Sequence, residues 1–364
     1  MTSADTAFSS RRPRRYEHPT ARAVALSHVL VGRPDLDLAS RFLSSFGLVE
    51  CHRGDEHLAF QSLVQPCCYR VLRTPEPSFI GFGLEVATAN ELLALSQLPG
   101  ATFETSASTF GPKAAAEMVV LHDPSGYRIE VSLARKATSQ AHLPRSLMET
   151  QTSLSAARVD STQRVQPVAP EIVKLGHVVL EVARFNLSLD WYCQHLGFIP
   201  SDVQVLPGGE PVVAFLRLNR GNQPTDHHTV ALGQSFRPSL GHFAFEVLDT
   251  DAVGIGNRIL HAEGWKHSWG IGRHLLGSQV FDYWEDPWGD KHEHYCDGDL
   301  FTASNGTGLH PLSKQSMAQW GPEMPAAFTR PKISLATVRD LISNLREGSD
   351  VTFSKLRQLA KIFN

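Results

Sequence analysis

Apolar positions along the chain fall into strand-length runs broken by amphipathic helices, and the order of these runs occurs twice. From Ala23, VALSHVLV alternates as a strand, and LASRFLSSFGL places its apolar residues at helical spacing until Gly47 stops it. Strand-like HLAFQSLV, CCYRVLR and FIGFGLEV follow, then a helix-like NELLALSQL, and EMVVLHDPSGYRIEVSL closes the block. From Ile172 the series begins again. KLGHVVLEV is a strand, NLSLDWYCQHLGF a helix ended by Gly197, VVAFLRL, HHTVALG and LGHFAFEV are strands, residues 251–262 are helical, and VFDYWEDPWGDKHEHY closes the second block.

The two blocks superimpose residue by residue. His28 matches His177, Phe46-Gly47-Leu48 matches Leu196-Gly197-Phe198, and Gly83-Leu84-Glu85-Val86 matches Ala244-Phe245-Glu246-Val247. Asp123-Pro124-Ser125-Gly126 matches Asp286-Pro287-Trp288-Gly289, and Glu130 matches Glu293. An internal repeat decides architecture. The predicted fold is α+β, two tandem modules each built from paired βαβββ units, with a short helical C-terminal extension. The expected divisions are a disordered leader over 1–20, a first module over 21–135, a Ser/Thr/Gln/Ala-rich linker over 136–170, a second module over 171–300, and an extension over 301–364. In that extension the stretches SNGTGLHPL and GPEMPAAFTRP read as loops, and two amphipathic helices are expected at 335–346 and 354–363. Helices this short need a surface to bury against, and the second module is the expected one.

Composition narrows the class. The 364 residues are 42 % apolar and 20 % charged, which is ordinary for a globular protein, and the net charge of -3 argues against a nucleic-acid partner. Five cysteines, at 51, 67, 68, 193 and 296, include no CxxC pair, so neither a disulfide framework nor a structural zinc site is expected, and a cytoplasmic location fits. No apolar run approaches the roughly 20 residues of a membrane span, so no membrane partner is expected. Histidine, at 17, is the one unusual count.

The closing hairpin of the second block carries the candidate chemistry. Asp286-Pro287-Trp288-Gly289 is a tight turn, because Pro fixes φ and Gly accepts positive φ. Strand alternation then puts Lys291, Glu293 and Tyr295 on one face and His292 and His294 on the other, where they are expected to be outer-face bystanders. Glu293 shares the repeat's logic with His177 and His242, each at the start of a strand. Two imidazoles and one carboxylate on different strands suit a facial triad for non-haem Fe(II), with positions left open for substrate and O2. The first block is an internal control: it keeps His28 and Glu130, but Gly81 stands where the second has His242, so it should hold no metal. Glu181 and Glu246 stand four residues beyond their histidines, ~13 Å away along a strand, too far to share the ion. Trp265, Trp269, Trp284, Trp288 and His267 lie close in sequence, and one or two of them are expected at a substrate.

These residues resemble the type I extradiol ring-cleavage dioxygenases of the vicinal oxygen chelate superfamily. The match lies in Gly-His177-Val-Val, His228-Thr-Val-Ala-Leu-Gly, Gly-His242-Phe-Ala-Phe-Glu-Val, and His274 followed by Tyr283, Asp286-Pro287, Gly289 and Glu293. It departs at Asp282, where the family has an apolar residue before the Tyr. The resemblance implies an enzyme of aromatic catabolism that inserts both atoms of O2 into a small aromatic diol and yields a ring-opened semialdehyde or keto acid. It implies His177, His242 and Glu293 as ligands of Fe(II), or of Mn(II). It implies His228 as the acid/base, with a pKa near neutrality, and His274 and Tyr283 as groups that hydrogen-bond the substrate oxygens. A homo-oligomer is implied as well. Two other readings compete: an enzyme like 4-hydroxyphenylpyruvate dioxygenase, which leaves His228, His274 and Tyr283 without roles, and a metal-free binding protein of the same fold, which leaves the triad without one.

Overall fold

The computed structural model describes residues 14–106, 110–111, 116–134, 145–147, 149–329, 350 and 352–363. In the first module β1 (Ala23–Arg33) leads into α1 (Leu36–Ser45), then β2 (Val49–Arg53), β3 (His57–Gln61) and β4 (Tyr69–Arg73). A second βαβββ unit follows as β5 (Ser78–Val86), α2 (Ala89–Ser96), β6 (Thr102–Ser106), β7 (Ala116–His122) and β8 (Arg128–Leu133). The eight strands form one sheet in the order β2-β3-β4-β1-β5-β8-β7-β6.

The second module repeats the series with β9 (Ile172–Val182), α3 (Phe185–Leu196), β10 (Ile199–Val205), β11 (Pro211–Arg217), a short β12 (Thr225–Asp226) and β13 (Val230–Gln234). Its second unit is β14 (Ser239–Val247), α4 (Thr250–Ala262), β15 (Lys266–Arg273), β16 (Val280–Glu285) and β17 (Lys291–Cys296). Its sheet runs β15-β16-β17-β14-β9-β13-β11-β10, the first module's order read from the other edge, and one further strand is added beyond β10. Strands β2, β6, β10 and β15 escaped the hydrophobic reading.

Local chemistry accounts for the element ends. Asp35 caps α1 by accepting from the Leu38 amide, and Thr88 with Glu91 forms a capping box on α2. Gly197 ends α3 in the left-handed region at φ 70°, and Gly126 and Gly289 each take φ 88° in the two Asp-Pro-x-Gly turns.

The modules share one continuous core, to which α1 contributes Phe42 and Phe46 and α3 contributes Tyr192. Phe46 stacks on His294, and the Phe46 carbonyl accepts a 2.7 Å hydrogen bond from His294 Nε2. Tyr69 of the first module meets His292 Nε2 at 3.0 Å. The expectation that His292 and His294 are outer-face bystanders is therefore corrected. They face away from Glu293, but both are fully buried and tie the two modules together.

Each Asp-Pro-x-Gly turn also reaches across this junction. Asp123 accepts from its own turn's Ser125 and Tyr127 amides through one oxygen, while the other takes the Tyr192 hydroxyl at 3.2 Å. Asp286 accepts from the Trp288 and Asp290 amides, while its second oxygen pairs with Arg33 at 2.9 Å.

The extension does not read out as the loops expected of it. It supplies β18 (Leu300–Phe301), which pairs with β12, and β19 (Gly308–Pro311), which lies parallel to β10 as the sheet's outermost strand. A 3-10 turn (Lys314–Met317) and a short helix α5 (Ala326–Thr329) follow, and the Arg273 amide donates to the Trp320 carbonyl while the Arg273 carbonyl accepts from the Gln319 amide, fastening the segment to β15. The last helix, α6 (Phe353–Phe363), packs Leu359 and Ile362 on Leu206, Val212 and Leu312, covering the second module. The helix expected at 335–346 lies outside the described residues. Among the described residues no helix is long and apolar enough to cross a membrane. All five cysteines are free thiols.

Candidate active site

Three adjacent central strands of the second sheet, β9, β14 and β17, bring His177, His242 and Glu293 together. The register sets Ala244 beside both His177 and Glu293, so the three residues approach one point from neighbouring strands. Glu293 Oε2 is 3.2 Å from Nε2 of His177 and 3.2 Å from Nε2 of His242, and the two imidazole nitrogens are 3.4 Å apart. Donors bound to one centre at ~2.1 Å and near right angles would be ~3.0 Å apart, so this spacing is what a facial triad requires.

The surroundings fit a cation. Glu293 is fully buried and neither of its oxygens makes a hydrogen bond of acceptable geometry within the protein. Burial opposes its ionisation, but the imidazoles of His177, His242 and His274 hold the carboxyl well below its ordinary range. Burial also lowers His242 to about 4, which leaves a neutral imidazole able to ligate. Gly176, just before His177, has a reason to lack a side chain: a Cβ there would collide with Tyr295, whose ring lies 5.3 Å from the His177 ring.

The first module holds the altered copy of this site. His28 Nε2 lies 2.9 Å from Glu130 Oε2, and Arg128 and Arg70 approach the same carboxylate at 2.9 and 3.5 Å. Gly81 stands at the third station, as the sequence indicated, and guanidinium groups supply the positive charge.

A cavity of about 240 Å³ opens on the triad. His228 lines it, with its ring centroid 4.0 Å from that of His177. Burial, reinforced by the neighbouring His177 and His227, holds His228 well below its usual pKa, not near neutrality as expected, so the ring is neutral. On the far side His274 Nε2 lies 2.9 Å from the Tyr283 hydroxyl and 3.4 Å from Glu293 Oε1. His274 Nδ1 is 2.8 Å from the Met317 carbonyl, which can only accept, so Nδ1 carries a proton. Tyr283 pairs directly across the hairpin with Glu293, and burial together with that carboxylate keeps its hydroxyl protonated. Five of the six site residues named from sequence, His177, His228, His242, His274 and Tyr283, thus line this cavity, and Glu293 lies behind them, 3.2 Å from both His177 and His242.

Of the neighbouring aromatics only Trp269 reaches the cavity. Trp284 packs on the opposite face, where its Nε1 donates to the fully buried Asp282 at 2.7 Å. Asp282 also meets His267 at 2.8 Å and Asn257 at 3.1 Å, so the polar departure before Tyr283 is satisfied away from the site. Trp265 packs on Phe42, and Trp288 lies beneath the Arg33 guanidinium. Glu181 lines the distal cavity and accepts from Ser239, while Glu246 pairs with Lys174 at 3.2 Å.

Sequence reasoning missed the extension's share of the wall. Leu312, Ser316, Met317 and Phe328 line the cavity, and Phe328 packs edge-on to Tyr283 at 5.0 Å. No repeat partner exists for this segment, so the repeat that located His177, His242 and Glu293 was silent there.

Comparison with known proteins agrees with this geometry. Residues 174–293 match the Glyoxalase/Bleomycin resistance protein/Dioxygenase superfamily. Metapyrocatechase 2 of Cupriavidus necator is 32% identical over 325 residues, covering 88% of this chain and 93% of that protein. The chain belongs to the type I extradiol ring-cleavage dioxygenases. The dioxygenase fold is shared with an extradiol ring-cleaving enzyme of B. fuscum (TM-score 0.71, 16% identity, 90% of this chain and 87% of that one). It is shared equally with homoprotocatechuate 2,3-dioxygenase of Arthrobacter globiformis (TM-score 0.69, 18% identity, 90% and 98%). A Mn(II)-bound glyoxalase of Novosphingobium aromaticivorans has it too (TM-score 0.68, 20% identity, 92% and 99%).

Proposed function

We propose that the enzyme opens a catechol-type ring beside its diol, using O2 and one Fe(II) held by His177, His242 and Glu293, with Mn(II) as the alternative ion. The observation that carries this reading is the convergence of one ligand atom from each of these residues to within 4.8 Å at a cavity floor. The relative of 32% identity is named a metapyrocatechase, which supports a catechol as the substrate class. A divalent redox-active metal there would supply open coordination positions for the diol oxygens and for O2, and a site of net positive charge that favours the deprotonated diol.

The protein's own groups then have distinct tasks. His228, neutral and on the cavity wall, takes a proton from a substrate hydroxyl and returns it to oxygen later in the cycle. Tyr283 keeps its proton and donates a hydrogen bond. His274, its Nδ1 fixed by the Met317 carbonyl, presents Nε2 beside Tyr283 and orients it. Val179, Phe215, Ala231 and Leu240 give the ring an apolar slot that excludes water.

The test is turnover of catechols by the iron-loaded protein. Mixed anaerobically with catechol and then exposed to O2, wild type should yield a yellow ring-fission product, and chelation of the metal should abolish it. Absence of that product across catechol, biaryl diols and trihydroxylated rings would remove the proposal. A homo-oligomer, expected from the family, is checked by sedimentation.

A further inference from the structure

A chain of hydrogen bonds leads away from His228 on the side opposite the cavity. Its Nδ1 lies 3.0 Å from Nδ1 of His227. His227 Nε2 lies 2.7 Å from Oδ2 of Asp202, and the other oxygen of Asp202 lies 2.7 Å from Nε2 of His310. His227 and His228 are buried, whereas the His310 side chain is 39% exposed, so the chain runs from the cavity wall to the surface.

Three separate segments build it. Asp202 stands on β10, His227 on the link between β12 and β13, and His310 on β19 of the extension. The backbone is fitted around it. The His227 amide donates to the Asp299 carbonyl at 2.9 Å, and its carbonyl accepts from Ser201 Oγ at 2.6 Å. Gly308 has no side chain where a Cβ would collide with both Asp202 and His310.

We propose that Asp202 and His227 are positioning residues that fix the tautomer of His228, placing its lone pair on Nε2 toward the cavity. The inference rests on the role given above to His228. A carboxylate only accepts, so His227 Nε2 carries the proton shared with Asp202. In the proposed arrangement His227 Nδ1 accepts and the His228 Nδ1 facing it at 3.0 Å donates. His228 Nε2 is left unprotonated as the one ring nitrogen able to take a substrate proton. In the opposite tautomer the cavity would face an N–H, which cannot act as a base. An aspartate holding an imidazole in its working tautomer is an established catalytic device, here extended by one more histidine.

Two measurements on the full-length protein test this. Ring-nitrogen chemical shifts are read by NMR on metal-free enzyme labelled with 15N-histidine, and kcat and KM for catechol on iron-loaded enzyme, for wild type, D202N, H227Q and H228Q. Wild-type His228 should show a protonated Nδ1 and an unprotonated Nε2, and D202N and H227Q should populate the reverse. Both variants should lose about 10- to 100-fold in kcat, with KM and iron content near wild type, since the lost interaction acts in turnover and not in binding. If H228Q keeps wild-type kcat, the reading of His228 as the base fails and the inference falls with it. If H228Q is inactive while D202N and H227Q keep wild-type kcat, or wild-type His228 carries its proton on Nε2, the inference alone is overturned. Should D202N not fold, H227Q decides.

Discussion

Glu130 and Glu293 occupy the same station in the two modules, and what separates them is the company each keeps. Around Glu130, burial opposes ionisation, but His28, Arg128 and Arg70 more than offset it and hold the carboxyl at about 2. Its folded pKa lies below the unfolded value of 4.5, so its contribution to stability is complete above pH 4.5 and drains away as pH falls toward 2. E130Q should therefore show a flatter loss of stability between those limits than wild type, measured by urea unfolding at a series of pH values. Among the described residues no guanidinium pairs with Glu293, and its oxygens make no hydrogen bond of acceptable geometry. His228 is the residue whose removal should cost most in turnover without costing metal. H228Q should lose about 10²- to 10⁴-fold in kcat while its iron content matches wild type. The ligand stations were legible because the repeat supplied an internal comparison. The state of His228 was not, because burial that suppresses its charge comes from strands distant in sequence.

At the scale of elements, the β16–β17 hairpin shows how one strand serves two purposes. Alternation sends Lys291 to the cavity and Glu293 to the histidines that line it, and turns His292 and His294 into the junction with α1. The alternation itself was readable from sequence. That the second face is buried was not, because its cover is Phe42, Phe46 and Tyr69 from about 220 to 250 residues earlier, and only the tertiary fold brings them there. Along β13, Gly233 lines the distal cavity opposite Val213 and Glu181, and a Cβ there would meet nothing within 4 Å. G233L should fill that end of the cavity. KM for catechols with bulky ring substituents should rise about tenfold or more, the equivalent of roughly 1.4 kcal/mol, while unsubstituted catechol changes little. Equal losses for small and large substrates, in a steady-state comparison, would place the substituent elsewhere.

For the molecule as a whole, the altered first module is a structural partner and not a vestige. One hydrophobic core runs through both modules, and the Arg33 side chain, only 1% exposed, is paired with Asp286 and Asp290 across the junction. Replacing Arg33 by Met leaves Asp286 buried without its cation and should cost about 3–5 kcal/mol, seen as a lowered midpoint in chemical denaturation. The shared core also predicts one cooperative unfolding transition instead of two, which calorimetry would detect. The two-module plan followed from the repeated hydrophobic pattern, from strand to helix to turn. The extension did not, because β19, Met317 and Phe328 have no counterpart in the first module, and their apolar side chains gain a role only against Tyr283 and the β10 edge. The claim on which everything else depends is that the triad holds one metal ion. Anomalous diffraction at the iron edge from crystals of iron-loaded protein tests it directly. The account predicts a single strong peak within bonding distance of His177 Nε2, His242 Nε2 and a Glu293 oxygen, and none beside His28 and Glu130. No peak at the triad, or a peak of equal strength in the first module, would contradict it.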